Sequence, residues 1–499
     1  MKAFLAKIFA KYIVNKEQKW INNPLEFQDK ILNELITSAK NTKFGKNHQF
    51  DKIKSYNDFK QYVPVRDYEG LKNYFEDVVK GESDVLWPGK PIYLAKTSGT
   101  TSGTKYIPLT KESIPTHINS ARNALLFYIH ETNNSDFVNG KMIFLQGSPI
   151  LEDKNNLKVG RLSGISAHFV PNYLQKNRLP SYETNIIEDW ETKVNRIVQE
   201  TIKADMTLIS GIPPWLIMYF ERLIKVSGKE NVASIFKNLQ LMVTGGVNYE
   251  PYKDKINQLI GKNIDCIQTY PASEGFIAYQ NTQESDDLLL LLNNGIFYEF
   301  IPVDEFFNDN PTRISLKDVE INKDYVIVLN TNAGLWGYNI GDTVRFTSLK
   351  PYKILVSGRI KHYTSAFGEH VIGHEVEQAL QKTVEIYPAN VIEFTVAPQV
   401  NPKDGLPYHE WFIEFDSKPE NFTAFSTELD KQMRKQNTYY NDLISGNILR
   451  PLVVSTIRKD GFQDYMKSIG KLGGQNKVPR LSNDRKIADI FYQLNLIIE

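Results

Sequence analysis

The stretch of the chain with the clearest chemistry is a loop rich in serine, threonine and glycine. It comprises Thr97, Ser98, Gly99, Thr100, Thr101, Ser102, Gly103, Thr104 and Lys105. Glycine relieves the steric limits on a tight turn, so backbone N–H groups and hydroxyls can curl around an anion. Lys105 adds a full positive charge. A polyphosphate is the natural ligand for such a loop.

The loop differs from the common phosphate-binding loop, which has four residues between its glycines and then Lys-Ser/Thr. Here three residues separate Gly99 from Gly103, and Tyr106 follows Lys105. When the loop is taken alone, a solvated turn of small polar residues is the alternative interpretation.

Three further groups have residue types that suit a nucleotide. Tyr270 could stack on an adenine ring, and Glu274 in the same turn could hold a Mg²⁺ between phosphate oxygens. Asp342, at the entry to a strand, could accept two hydrogen bonds from a ribose diol. Lys477, on a glycine-rich segment, could neutralise the charge that gathers where a phosphate and a carboxylate meet. When each group is taken alone, a solvated turn or an exposed basic loop is the alternative interpretation.

Composition excludes several classes of protein. The 499 residues are 41% hydrophobic and 23% charged, with a net charge of +1, so no global field recruits nucleic acid or an anionic membrane. The single Cys266 permits neither an intramolecular disulfide nor a cysteine-based metal site, which fits a reducing cytosol. No apolar run approaches the roughly 18 residues of a membrane span. We expect a cytoplasmic monomer without nucleic acid or stable membrane association.

The first 14 residues have apolar side chains at helical spacing, interrupted by Lys7 and Lys11. This pattern predicts an amphipathic helix docked on the body of the protein. A role of this helix at a membrane surface is the less favoured alternative.

The middle of the chain alternates strand-like and helix-like segments, which predicts an α/β domain with a largely parallel sheet. Four turns of Ser, Thr and Gly follow its strands, at 97–105, 210–214, 244–247 and 270–275. Ligands of open α/β sheets bind at the carboxyl ends of the strands, so these turns predict a shared pocket. A helix starting near Thr110 would point its positive dipole end at a phosphate.

Residues 276–357 predict a β-rich subdomain, built as an antiparallel sheet or a small barrel. The charged, glycine-punctuated segment 358–361 predicts a hinge. Beyond it, two helices and two strands predict a small α+β domain. We therefore expect an N-terminal domain over 1–357 and a mobile C-terminal domain over 362–499.

The order of these segments resembles the adenylate-forming superfamily of acyl ligases. More narrowly, the chain is similar to the Gretchen Hagen-3 family of auxin-responsive acyl-acid amido synthetases, in its bacterial form. The segments that carry the resemblance are 97–108, 211–216 with 221–222, 270–275, 336–342, 358–359 and Lys477-Val-Pro-Arg480.

The resemblance implies a two-step reaction. ATP and a carboxylic acid give an acyl-adenylate and pyrophosphate, and the amine of an amino acid then displaces AMP. The implied roles are phosphate binding by 97–103 and Lys105, nucleotide framing by Tyr270 and Ser273, Mg²⁺ binding by Glu274, ribose binding by Asp342, nucleotide contact near the hinge by Arg359, and closure over the adenylation site by Lys477. For the acyl group we expect a pocket drawing on Ser166, His168, Val243, Thr244, Gly245 and Gly246.

Two other functions stay open at this point. One is an acyl ligase that transfers to coenzyme A or another thiol. The other is a nucleotide-binding homologue without catalysis, which the presence of Lys105, Glu274, Asp342 and Lys477 disfavours.

Overall fold

A computed structural model provides the fold. It describes residues 2–98, 104–170, 175–187, 189–246, 249–360, 363–364, 371–445, 449–473, 477–482 and 484–498. The chain forms two compact units. The first comprises Met1–Tyr249 and Ile256–Val356, and the second comprises Glu250–Lys255 and Ser357–Glu499.

The helices of the first unit begin with the amphipathic helix that the sequence predicts. A second helix starts at a proline in its first turn, where the missing N–H does no harm. Their bounds are α1 Lys2–Asn22, α2 Pro24–Ala39, α3 Lys43–Asn47, α4 Tyr56–Tyr62, α5 Lys72–Lys80, α6 Ile114–Thr132, α7 Leu162–Ala167, α8 Tyr182–Asn185, α9 Trp190–Thr201, α10 Pro213–Ser227, α11 Val232–Ile235 and, divided between the units, α12 Glu250–Ile260.

Sixteen strands are found in the described part of the first unit, and the last of them crosses the boundary to the second unit. Their bounds are β1 Tyr93–Ser98, β2 Thr104–Leu109, β3 Lys141–Phe144, β4 Glu152–Lys154, β5 Leu157–Gly160, β6 Arg178–Leu179, β7 Met206–Gly211, β8 Leu241–Gly245, β9 Asp265–Ala272, β10 Gly275–Tyr279, β11 Leu288–Leu290, β12 Ile296–Pro302, β13 Ile314–Ser315, β14 Asp324–Thr331, β15 Tyr338–Leu349 and β16 Tyr352–Arg359.

One sheet of twelve strands contains both the parallel strands and the antiparallel strands that the sequence predicts. Its order is β13-β12-β14-β15-β16-β11-β10-β9-β8-β7-β3-β6. Strands β6, β3, β7, β8 and β9 pair in parallel. The hairpin from β9 to β10 reverses direction, and antiparallel pairing follows. The predicted α/β class with a β-rich part is confirmed, and the β-rich part continues the parallel sheet.

The strands that flank the glycine loop, β1 and β2, form a hairpin in a separate four-stranded sheet, ordered β2-β1-β5-β4. Helix α6 begins only after β2, whose far end is about 17 Å from the loop along the strand. The helix that the sequence predicts from near Thr110 is confirmed, but strand β2, which pairs with β1, separates its N-terminus from the loop.

The second unit is the small α+β arrangement that the sequence predicts. A three-stranded sheet, ordered β19-β20-β21, forms its centre. Its elements are β17 Tyr363–Thr364, β18 Val371–Ile372, α13 Gly373–Ile386, β19 Asn390–Gln399, β20 Tyr408–Ser417, α14 Phe422–Gln436, α15 Thr438–Ser445, β21 Val453–Ile457, α16 Gly461–Ser468 and α17 Lys486–Gln493. Across the described parts of both units, no helix is both long and apolar enough to cross a membrane.

Candidate active site

The parallel strands place three of the four predicted turns at one edge of the sheet. Strands β7, β8 and β9 are adjacent and parallel, so the turns that follow them share the carboxyl edge. The fourth turn, at the glycine loop, belongs to the separate four-stranded sheet. Turns 210–214, 244–246 and 270–275 therefore lie at one edge of the sheet, residue 247 lies outside the described residues, and the pocket expected from all four turns stays a prediction.

The end of β8 carries the predicted acyl-pocket residues Val243, Thr244, Gly245 and Gly246. Thr269 on β9 donates from Oγ1 to the carbonyl of Thr244 at 2.9 Å. A side chain on Gly245 would meet Thr269 Oγ1 at 2.4 Å, so this position requires glycine. Gly246 has a φ of +81°, which also favours glycine. The buried Thr244 Oγ1 has no hydrogen-bond partner among the described residues, and such a group suits a ligand.

A hydrogen bond joins two of the predicted nucleotide-site residues. Tyr270 on β9 donates from its phenol to Asp342 Oδ2 on β15 at 2.6 Å. Strands β10, β11 and β16 lie between them in the sheet order. In a flat sheet that separation would be about 19 Å, so the sheet bends to bring them together. Tyr270 is buried, which adds a role in orienting Asp342 to its predicted role beside the nucleotide.

A bulge in β15 directs Asp342 toward Tyr270. Val326 pairs with Thr343 and Val328 with Asn339, so residues 340–342 oppose a single residue of β14. Gly341 has a φ of +86°, and its N–H donates to Asn339 Oδ1 at 2.8 Å. Bulges of this kind re-aim a side chain next to a functional site.

Ser273 and Glu274 form the two-residue turn between β9 and β10, and both are partly exposed. Within the described chain, no group of three His, Cys, Asp or Glu side chains could hold a metal by itself. Mg²⁺ usually keeps several waters and binds one or two carboxylates plus substrate phosphates. Glu274 therefore fits Mg²⁺ only as a site that phosphate oxygens complete.

The glycine loop has defined flanks. Thr97 pairs with Lys105, and Ser98 pairs with Thr104, across the hairpin. The Lys105 ammonium lies 5.4 Å from the ring centre of Tyr68. Residues Gly99, Thr100, Thr101, Ser102 and Gly103 lie outside the described residues.

Ser166 and His168 lie at the end of α7. His168 donates from Nε2 to the carbonyl of Pro149 at 2.9 Å, which ties α7 to the segment after β3. This contact gives His168 a structural role, while its predicted role in the acyl pocket stays a prediction.

Three cations that the sequence analysis missed surround the exit of β3. The Arg178 guanidinium lies 5.4 Å from the ring centre of Phe144. The stem of Arg161 packs on Gly147, where an added Cβ would meet Arg161 Cδ at 2.9 Å. Lys193 donates to the carbonyls of Gln146 at 3.3 Å and Asn185 at 2.7 Å.

This group, called the β3 cation cluster, consists of Arg161, Arg178 and Lys193. No carboxylate of a described residue forms an ion pair with any of the three. Burial lowers the pKa of both guanidinium groups. Burial, with the positive charge of Arg161 as a second cause, lowers the pKa of Lys193 to about 8. Buried charges are normally paired, so the cluster suits an anionic ligand.

One member of the cluster had a usable signal in the sequence. Lys193 shares helical spacing with Ile197 and Thr201, and all three are buried. A lysine on the apolar face of a helix could have been singled out on this ground. For Arg161 and Arg178 we find no comparable pattern.

The second unit contains the remaining predicted residues. Arg359 ends β16 and is exposed, and Lys477 is also exposed. The residues after Lys477 run along β19: Thr395 Oγ1 donates to the carbonyl of Pro479 at 2.6 Å, and the N–H of Val396 donates to the carbonyl of Arg480 at 3.0 Å. The start of this anchored segment therefore fixes the backbone beside Lys477.

Arg480 is the anchor of that segment, and the sequence analysis gave it no role. Its guanidinium forms ion pairs with Glu393 and, at 3.1 Å, with Glu377, and it stacks 4.5 Å from the ring centre of Phe394. Burial lowers the pKa of Arg480, but the two carboxylates outweigh burial and the net pKa lies well above its ordinary value.

Three parts of the sequence match the domains of one family. The matches are to the GH3 family N-terminal domain over residues 14–175, the central domain over 289–359 and the C-terminal domain over 374–486. Together they cover more than half of the chain. The chain belongs to the GH3 family. The resemblance to the Gretchen Hagen-3 family that the motifs indicated is thereby confirmed.

Curated relatives of this GH3 chain are plant proteins. Indole-3-acetic acid-amido synthetase GH3.3 of Arabidopsis thaliana is 24% identical over 58% of this chain and 52% of its own length. Jasmonoyl--L-amino acid synthetase JAR4 of Nicotiana attenuata is 22% identical over 55% of this chain and 58% of its own length. The chain thus spans little more than half the length of these relatives.

Solved structures share the fold of this GH3 chain. The AtGH3.15 acyl acid amido synthetase in complex with 2,4-DB has a TM-score of 0.80 at 15% identity, over 98% of this chain and 96% of that one. A 2-hydroxyisobutyryl-CoA ligase in the postadenylation state has a TM-score of 0.60 at 14% identity, over 93% and 90%. The adenylate-forming architecture is therefore confirmed, and it is common to amide-forming and thioester-forming enzymes.

Proposed function

We propose that this protein is an ATP-dependent acyl-acid amido synthetase that acts in the cytoplasm. A carboxylate oxygen of the acid attacks the α-phosphorus of ATP, and the bond to pyrophosphate breaks. The amine nitrogen of an amino acid then attacks the acyl carbon, and AMP leaves. The observation that carries the proposal is the Tyr270–Asp342 hydrogen bond at the carboxyl edge of the sheet, in a member of the GH3 family.

The nucleotide roles rest on residue chemistry. Asp342 would accept hydrogen bonds from the ribose diol, held in position by Tyr270. The loop 97–103 with Lys105 would bind phosphates. Glu274 would hold Mg²⁺, which when bound neutralises phosphate charge. No protein nucleophile is needed, because adenylation activates the acid and binding orients the amine.

Residues of the second unit have separate roles in the proposal. Lys477 would neutralise the charge that builds up in adenylation. Arg359 would contact the nucleotide. Arg480 would act as a positioning residue for Lys477, because it anchors the segment that begins two residues after that lysine. The hinge at 358–361 stays part of the proposal.

We assign the β3 cation cluster to a substrate carboxylate other than the one that is adenylated. Two sources have this chemistry: the α-carboxylate of the acceptor amino acid and a second carboxylate on the acyl acid. Arg161 offers a planar fork of donors, which matches a carboxylate in two parallel hydrogen bonds. The acceptor carboxylate is the better match, since every amino acid carries one.

Exchange of labelled pyrophosphate into ATP with a panel of acids tests the first step. Release of AMP is then measured after addition of amino acids or of coenzyme A. We expect amino acids to accelerate AMP release. If only coenzyme A accelerated AMP release, the protein would be a thioester-forming ligase. If Asp342→Ala left the rate of pyrophosphate exchange unchanged, Asp342 would not bind the ribose.

A further inference from the structure

Helix α1 (Lys2–Asn22) has two apolar faces. The inner face is buried through Ala10, Ile13, Val14 and Trp20, as an amphipathic helix docked on the protein requires. The outer face carries five large apolar side chains whose exposed fractions are Phe4 67%, Leu5 56%, Ile8 54%, Phe9 42% and Tyr12 64%. We call these five residues the α1 stripe.

The stripe is continuous on the helix surface. Phe4, Ile8 and Tyr12 are spaced by four residues, and Leu5 and Phe9 form the adjacent row. Single exposed apolar residues are normal on soluble proteins, but a contiguous patch marks an interaction surface.

Lysines border the stripe. By helical geometry, Lys7 and Lys11 lie on one side of it and Lys2 and Lys16 on the other. The one acid of the helix, Glu17, is on the buried face, where its carboxylate accepts a hydrogen bond from Trp20 at 2.6 Å.

Neighbouring elements add one charge of each sign beside the stripe. The Arg122 guanidinium of α6 lies 5.6 Å from the ring centre of Phe9. On the other side, Ser135 donates to the carbonyl of Ala3 at 3.0 Å, which places the acidic Asp136 near the start of the helix. The four bordering lysines and Arg122 outnumber Asp136, so the border that these residues form is positive.

The combination of stripe and lysine border selects one kind of partner. A second copy of α1 would bring lysines against lysines, which is unfavourable. A bilayer with anionic lipids takes apolar side chains into its headgroup–acyl boundary and pairs its phosphates with lysines. We propose that the α1 stripe docks reversibly on an anionic membrane surface.

The proposal adds reversible docking to the expectation that the protein has no stable membrane association. That expectation used the net charge of +1 over the whole chain, which averages out five lysines concentrated on one helix. The helix would lie in the plane of the interface and would not span the bilayer.

The test is co-sedimentation of the full chain with vesicles of phosphatidylcholine and phosphatidylglycerol, and with vesicles of phosphatidylcholine alone. We expect binding to the mixed vesicles, and at least a tenfold lower partition coefficient for Phe4→Glu/Ile8→Glu. The matched control is Val226→Glu, since Val226 is 54% exposed on α10, and it should bind like wild type. Circular dichroism verifies that each variant is folded.

Variants of the lysines separate the electrostatic contribution to membrane binding from the apolar contribution. Lys7→Glu/Lys11→Glu should lose binding to the mixed vesicles, whereas Lys7→Arg/Lys11→Arg should retain it. Equal binding to both vesicle types, or wild-type binding by Phe4→Glu/Ile8→Glu, would overturn the proposal. So would a concentration-dependent dimer that Phe4→Glu/Ile8→Glu abolishes, because a second copy would then cover the stripe.

Discussion

Each unit of the protein buries cations, but the two units treat them differently. In the second unit, Arg480 is enclosed by the carboxylates of Glu377 and Glu393. In the first unit, Arg161 and Lys193 lie close together with no carboxylate partner among the described residues. A charge with partners is complete without a ligand, whereas a buried charge without them is stabilised by an anion that arrives later.

Cations with a carboxylate partner are not restricted to the second unit. The first unit also contains an arginine with a carboxylate partner, Arg313, whose guanidinium lies 2.6 Å from the buried Glu299. Arg161 and Lys193, in contrast, lie beside the residues that follow β3, at the carboxyl end of a parallel strand. Ligands bind at this edge in open α/β sheets, so the difference points to function at β3 and to structure at Arg480.

The largest effect is expected for the paired cation. Arg480→Met leaves Glu377 and Glu393 without their partner and should lower the free energy of unfolding of the second unit by about 3–5 kcal/mol. Denaturant unfolding measures this loss. The control is Arg458→Met, because Arg458 pairs with Asp464 at a half-exposed position and should cost at most about 1 kcal/mol. Equal losses for the two variants would contradict the comparison.

The unpaired cation should show the opposite pattern. Arg161→Gln should leave stability unchanged and raise the KM for an amino acid acceptor about 10–100-fold, because charge-assisted hydrogen bonds contribute about 1.5–3 kcal/mol. Arg196→Gln, at an exposed position of α9, is the control.

The source of the bound carboxylate can be read from the same variant. If the acceptor supplies the carboxylate, wild type should prefer an amino acid such as isoleucine to 2-methylbutylamine, which lacks the carboxylate, and Arg161→Gln should remove this preference. A loss of pyrophosphate exchange with dicarboxylic acids, but not with monocarboxylic acids, would assign it to the acyl acid. A drop in stability with unchanged KM values would make Arg161 a structural residue.

The pH dependence of the KM for the amino acid tests whether Lys193 belongs to the binding site. The Lys193 ammonium, with a pKa lowered to about 8 first by burial and then by Arg161, loses its proton as the pH rises through 8. The KM for the amino acid should therefore rise above pH 8, by about tenfold over one to two pH units. In Arg161→Gln the inflection should move to higher pH, since a like charge is removed. A pH-independent KM between 7 and 9 would exclude Lys193 from the binding site.

The smallest effect concerns a neutral group. Tyr270→Phe removes one hydrogen bond to Asp342 and should raise the KM for ATP about fivefold, equivalent to about 1 kcal/mol. Tyr279→Phe is the matched control, because the buried hydroxyl of Tyr279 has no partner among the described residues. If both variants behaved alike, the orienting role of Tyr270 would be excluded.

Much of the fold could be predicted from local patterns. Pro24 in the first turn of α2, the alternation of strands and helices from β7 to β9, and the α+β pattern after residue 370 all depend on neighbours in the sequence. The helix expected from near Thr110 is also confirmed, as α6. Local patterns do not encode the pairing of residues 104–109 with β1, which places both strands in a sheet separate from the twelve-stranded one.

The sequence by itself determined which chemical groups are available, namely the glycine loop, Glu274, Asp342 and Lys477. It also determined the family to which the chain belongs. Only the tertiary structure decided which of them meet. Tyr270 reaches Asp342 across three intervening strands because the sheet bends, and Arg161 approaches Lys193 because both pack at the exit of β3. Hydrogen bonds and charge pairs act over a few ångströms, whereas strand order and curvature bring distant positions within that range.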